Sequence, residues 1–312
     1  MMRKAKILAV LALSLGLVLV ACGATEPVPE TQPPDLAASA TPETASTPMS
    51  PAATLLPSTP SVTEDDRAVE PEMILIPAGE FTMGSDPGLD QDVSADEQPQ
   101  HTLYLPDYYL AKTTVTNDQY AAFVQATGHA SPYGWLGGKS PRGREDHPVV
   151  NVSWHDAQAY CTWLAEATGK PYRLPSEAEW EKGARGTDGR IYPWGNQWDA
   201  AQCNSRESGN GDTTPVGDYP EGASPYGLLD MAGNVWEWTG SAYKDYPHDM
   251  DGDREDLEAS DDVRRVLRGG SFGNLPWRVR CALRGGDLPS FSFWDRGFRV
   301  ALDAGQSPAS ND

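Results

Sequence analysis

The 312-residue chain carries 24 Lys and Arg against 45 Asp and Glu, a formal charge of −21 with histidine neutral. Neutralising a phosphate backbone needs a basic patch, so this balance argues against nucleic acid as a partner. Four cysteines are too few for a disulfide scaffold, and the core must hold by burial, for which ten tryptophans and twelve tyrosines supply large side chains.

Residues 1–22 read as an export signal. Arg3, Lys4 and Lys6 precede an apolar run from Ile7 to Val20, which is short of the roughly 20 residues a spanning helix needs. The run ends in Leu19-Val20-Ala21-Cys22. That string resembles the bacterial lipobox, whose cysteine is lipidated; the plainer alternative is a signal cleaved after small residues. Lipidation at Cys22 predicts an extracytoplasmic protein held at the cell envelope by an acyl anchor. Residues 23–71 are rich in Pro, Thr, Ala and Ser, and lack aromatics as far as Glu70. Such a segment buries too little apolar surface to offset its ordering entropy, and is expected to be a disordered stalk.

All ten tryptophans follow residue 130, inside a folded segment expected over 72–303, with a disordered tail over 304–312. Met73 to Ile76 reads as a strand, Pro77 to Glu80 as a turn, and Phe81 to Ser85 as its hairpin partner. Residues 86–100 read as loop, and Tyr108 to Val115 as a further strand. Three helices carry legible start signals. Thr116 and Gln119 have capping-box form with Gly128 as stop, Ser153 and Asp156 open a second helix ending near Gly169, and Ser176 with Glu179 opens a third. After Arg185, Gly, Pro, Asn and isolated aromatics alternate, which predicts short strands and ordered loops. The fold class is α+β, a single domain of low regular content.

Three strings carry a family resemblance: Arg173-Leu174-Pro175-Ser176-Glu177-Ala178-Glu179-Trp180-Glu181, then Tyr226 through Trp238, then Arg268-Gly269-Gly270-Ser271-Phe272-Gly273-Asn274-Leu275-Pro276 leading to Cys281, with Gly297-Phe298-Arg299-Val300 closing the domain. In this order they resemble the formylglycine-generating enzymes, or sulfatase-modifying factors, which have a C-type-lectin-like fold. The resemblance covers nearly all of the folded segment. It implies a cleft around the third string, with Arg268, Ser271, Asn274 and Arg280 as candidate residues and Arg278, Arg280 and Arg284 lining or bracing it. Arginines beside Trp277 and Trp294 also suit an anionic or peptide ligand.

The resemblance also implies metals. Asp230 and Glu237 would give carboxylates and Gly233 and Val235 carbonyls to a calcium ion, which takes six to eight oxygens; the alternative is a metal-free turn. Asn204 and the Ser205 carbonyl would begin a second calcium site. Copper in this family is held by two cysteines, and their positions here are Asn274 and Pro276. Soft thiolates suit Cu(I), whereas an Asn/Pro pair does not. Cys281 and Cys161 map to family cysteines whose partners would fall near Ala184 and at Val300. The run from Asp249 to Glu255 fails as an EF-hand, with Arg254 at position six and Ser260 at position twelve. His101, His129, His147, His155 and His248 show no metal-binding spacing.

Two principal functions follow. One is a membrane-anchored, calcium-stabilised module that binds a protein, peptide or glycan ligand in the C-terminal cleft. The other is an oxidase that generates formylglycine on sulfatase-like clients. A different chemistry on unrecognised residues is the third.

Overall fold

The computed structural model describes residues 70–249 and 252–306. The expected export signal, Cys22, the expected stalk through residue 69 and the expected tail from residue 307 lie outside the described residues. No helix among the described residues is long and apolar enough to cross a membrane.

Strand β1 (Met73–Ile76) pairs antiparallel with β4 (Tyr108–Ala111), which pairs in turn with β9 (Ala301–Asp303). Strand β2 (Gly79–Met83) pairs with β3 (His101–Leu105) as a separate two-stranded sheet. The expected β1–β2 hairpin is therefore corrected: both strands exist, but each takes a partner beyond the acidic loop. Turn residues at 77–80 mark a change of direction, and they do not specify which strand supplies the ladder.

Helices α1 (Asn117–Thr127), α2 (Trp154–Thr168) and α3 (Glu177–Arg185) each open on a complete capping box, with N-caps Thr116, Ser153 and Ser176. The first two end on left-handed glycines, Gly128 and Gly169. Two backbone N–H donors at each helix start are thus satisfied locally by the side chains of the cap and of the third helical residue. Helices α1 and α2 bury Tyr120, Phe123, Tyr160 and Leu164 against Trp236, Trp238, Phe298 and Val300.

The C-terminal half builds a four-stranded sheet ordered β7 (Gly285–Asp287), β6 (Arg265–Arg268), β5 (Trp236–Ala242), β8 (Arg296–Phe298). Only the β5–β8 pair is parallel. Long loops join these strands, as the composition after Arg185 requires. The second core cluster packs α3 through Ala178, Trp180 and Ala184 against Phe81, Leu110, Met231 and Cys281.

Helix α3 binds this half together ionically. Glu177 and Glu181 lie one turn apart on one face, both fully buried. Glu177 takes Arg284 at 2.5 Å. Glu181 takes Arg185 at 2.7 Å and also pairs with Arg268. The string that carried the resemblance is thus a carboxylate comb on which the later arginines are hung.

Candidate functional site: the C-terminal cleft

The segment from Arg268 to Arg284 leaves β6, turns at Gly269 and Gly270, and makes a single helical turn over Pro276–Arg278. Ser271 is fully buried; its Oγ donates to Asp295 Oδ2 at 3.0 Å, and its backbone N–H donates to Asn274 Oδ1 at 2.9 Å. Asn274 closes that turn by donating its own N–H to the Ser271 carbonyl. Ser271 and Asn274 are therefore brought together, as expected.

Two other candidates are buried in ion pairs. Arg268 is wholly buried, donating to the Ala282 and Leu283 carbonyls as well as to Glu181. Arg280 is 1 % exposed and spans Asp90 at 2.6 Å and Glu97 at 2.7 Å. Arg284 is buried on Glu177. These guanidiniums are braces, because α3 and the acidic loop before β3 present carboxylates to them. Arg278 alone of the four is exposed, lying over the Trp277 and Trp236 rings at 5.3 and 5.8 Å.

Around the cleft the aromatic side chains stand out into solvent. Trp277, Phe291, Phe293 and Trp294 are between 43 % and 55 % exposed, more than core aromatics would tolerate, and Trp294 packs its ring on Phe272 at 5.1 Å. Next to them is a cavity of about 320 Å³ lined by Trp236, Tyr243, Arg264, Arg278, Asp295 and Arg296 among others. Arg264 and Arg296 escaped the sequence reading because they lie outside the turn that carried the motif.

The two positions mapped to copper offer an amide and a pyrrolidine ring, neither with a sulfur donor. Among the described residues Cys161, Cys203 and Cys281 are free and buried. Burial pushes the Cys161 thiol well up, and the Cys203 and Cys281 thiols up to about 12. A thiol held protonated by a dry surrounding is a poor ligand and nucleophile. Cys161 packs in the cluster that contains Val300, and Cys281 in the one that contains Ala184. Valine and alanine at the mapped partner positions carry no sulfur. These residues do not fit a copper centre.

The calcium candidates divide. Glu237 is fully buried and both its oxygens are taken: Arg299 reaches them at 2.6 and 2.7 Å, and the Trp180 indole donates at 2.9 Å. Its charge is balanced without metal. Asp230 is different. It is 7 % exposed, accepts one N–H from Gly217, and forms no ion pair with a Lys or Arg among the described residues. Burial pushes its carboxyl up to about 6; nearby Glu237 and Asp218 add to this, while the Gly217 N–H and Arg299 oppose it. Asp230 and Asn234 both hold left-handed backbone, with φ of 57° and 60°. Gly233 lets this turn press on the next segment, since a Cβ there would sit 2.2 Å from the Asn204 carbonyl oxygen. A buried carboxylate without a cation suits calcium, with the Gly233 and Val235 carbonyls alongside. No cluster of three or more His, Cys, Asp or Glu side chains occurs among the described residues, so backbone oxygens would have to complete any shell.

At the second position, Asn204 Oδ1 and the Ser205 carbonyl face one point. Ser208 Oγ fills it, 3.2 Å from the first and 2.7 Å from the second. Asn210 also donates to Asn204 Oδ1 at 3.1 Å. These oxygens converge as a ligand pair should, and are satisfied without metal.

A C-type-lectin-like domain with a cleft built on an Arg-Gly-Gly-Ser turn defines a class, and the comparisons agree. Residues 58–304 match the model of the sulfatase-modifying factor enzyme 1-like domain. The chain belongs to the formylglycine-generating enzyme, or sulfatase-modifying factor, family. It is 34 % identical to the formylglycine-generating enzyme of Streptomyces coelicolor over 311 residues, covering 80 % of this chain and 96 % of that protein. It is 31 % identical to the inactive C-alpha-formylglycine-generating enzyme 2 of Bos taurus, over 76 % of this chain and 89 % of that one. Among solved structures, PvdO from Pseudomonas aeruginosa superposes with a TM-score of 0.66 at 31 % identity, covering 76 % and 96 % of the two chains.

Proposed function

We propose that this chain is a membrane-anchored, extracytoplasmic family member that binds a protein, peptide or glycan ligand in its C-terminal cleft and does not oxidise a cysteine. The observation that carries the reading is the donor set of the cleft. On the family resemblance Asn274 and Pro276 fall where the copper cysteines would stand; Asn274 Oδ1 is spent on closing the turn, and the three described thiols are buried elsewhere. Without a soft ligand pair, Cu(I) has nothing to hold it near Ser271. The likeness to a relative named inactive supports the reading, because it means that this architecture is not tied to the oxidation. Exposed aromatics around a polar cavity suit recognition. Calcium at Asp230 would stiffen the turn that carries β5 into the cleft, with Gly233 and Val235 supplying carbonyls.

The reading is tested by titrating Cu(I) into the purified chain under reducing conditions and incubating it with a peptide carrying the sulfatase cysteine motif. The expected result is neither stoichiometric retention of copper nor conversion to formylglycine. Tight binding of one copper together with conversion would establish the oxidase reading, which the active relatives favour.

A further inference from the structure

The geometry points to a carboxylate-recognition site in the cavity over β6 and β7, built to take the acidic side chains of a partner polypeptide. This rests on the binding reading above and names the chemistry of the ligand.

The chain is strongly acidic, yet four arginines converge on this one cavity: Arg264, Arg278, Arg284 and Arg296. Two already have carboxylates, Arg284 on Glu177 and Arg296 on Asp287 at 2.7 Å. The other two do not. Arg264 spends its guanidinium on the neutral Gly286 carbonyl, and the Arg278 guanidinium has no hydrogen bond or ion pair among the described residues. Arg296 adds a buried Nη1 with no hydrogen-bond partner. Opposing them on the cavity wall is Asp295, whose Oδ2 accepts from Ser271. Even counting Asp295 as fully charged, one positive charge is left over, from Arg264 and Arg278 against one carboxylate.

Aromatic rings hold these cations in place. The Tyr243 ring lies 4.8 Å from Arg264 and 4.7 Å from Arg284, and Phe293 lies 4.1 Å from Arg296. Stacking on a ring uses the guanidinium face and not its N–H groups, so the N–H groups left unpartnered on Arg278 and at Arg296 Nη1 remain for an incoming anion, and the planar fork matches a carboxylate. The floor is kept clear by Gly285 and Gly286. A Cβ on Gly286 would stand 2.5 Å from the Tyr243 ring, and one on Gly285 would stand 3.2 Å from Trp236.

The rim decides between a simple ion and a polypeptide. Arg278 leads onto exposed Trp277, and Arg296 onto exposed Phe293 with Trp294 beside it. Carboxylates seated in the cavity would therefore be followed along the chain by an apolar side chain lying on these rings. A peptide carries both groups, whereas a uronic-acid glycan carries the first without the second.

The probe is acetyl-Glu-Asp-Glu-Leu-Phe amide, titrated calorimetrically into the full chain at low ionic strength, with acetyl-Gln-Asn-Gln-Leu-Phe amide and an oligoglucuronate as comparators. The acidic peptide should bind, its amide analogue at least tenfold more weakly. Arg278→Ala and Arg264→Ala should each weaken the acidic peptide at least tenfold, Arg278→Lys should recover part of the loss, and circular dichroism should show each variant folded. Equal binding of the two peptides, or affinity unchanged in both alanine variants, overturns the site. Binding of oligoglucuronate in place of the peptide overturns the polypeptide assignment. If no acidic probe binds while copper is still not retained, this site falls and the non-oxidising reading stands; copper retention with conversion sinks that reading whichever peptide binds.

Discussion

Asp230 is the residue whose energetics are least settled by its protein neighbours. Its folded carboxyl holds a proton up to about pH 6, against 3.8 for the ordinary group. The native state therefore binds more protons than the unfolded chain between those values, and stability falls as pH rises through that window. Above it, the cost is about 3 kcal/mol at full burial. A cation would remove this cost. Asp230→Asn should accordingly raise the unfolding midpoint in chelator at pH 7.5 and change it little at pH 4, where the carboxyl is already neutral. Asparagine also tolerates the left-handed backbone and can still accept from Gly217. Added calcium should stabilise the native chain and leave this variant unmoved, since only a ligand that prefers the folded state raises the midpoint. A variant less stable than the parent in chelator at pH 7.5 would remove Asp230 as a strained carboxylate.

Among the elements, β5 and α3 are tied through Glu237, whose carboxylate is satisfied by protein donors. Glu237 on β5 receives Arg299 and the Trp180 indole in a fully buried setting. Glu237→Gln would leave the Arg299 guanidinium buried beside a neutral amide, and removing one partner of such a pair costs about 3–5 kcal/mol. Denaturant unfolding should show a lowered midpoint with an unchanged slope. Calcium affinity measured on the folded fraction should hardly move. If affinity is lost while stability is kept, Glu237 is a ligand after all. Capping boxes at Thr116, Ser153 and Ser176 made the helices legible, since those signals are local in sequence and act locally. Strand pairing was less so, because β1 and β2 each resemble a hairpin arm and only distant partners resolve the ladder. The roles of Arg268 and Arg280 were hidden for a related reason: a motif fixes neighbours along the chain, while their carboxylates come from α3 and from residues 90–97. Gly285-Gly286 within a strand was the one sequence signal pointing to an open cavity floor.

For the whole molecule, the proposal includes a lipid anchor at Cys22. The anchor claim is the part most simply tested. In a bacterial host, Cys22→Ser should move the protein from the membrane fraction to the soluble or retained-precursor fraction, with no change in the fold of the domain. Unaltered fractionation would remove lipidation at Cys22. The family could be recognised from three strings because they encode the architecture: the carboxylates of α3, the turn before β5 and the Arg-Gly-Gly-Ser bend. What the cleft binds was less legible, since its cations come from residues 264, 278, 284 and 296, which are separated along the chain and meet only after folding.

The carboxylate comb on α3 has one more consequence. Its teeth grip Arg268 and Arg284 at the two ends of the cleft-forming segment, and Glu97 grips Arg280 between them. The stretches from 273 to 278 and from 290 to 294 hang outside those grips, and carry most of the exposed side chains. Foldedness and specificity are thus inherited on different residues. A lineage can rewrite what this surface recognises, one loop substitution at a time, without passing through ancestors that fail to fold.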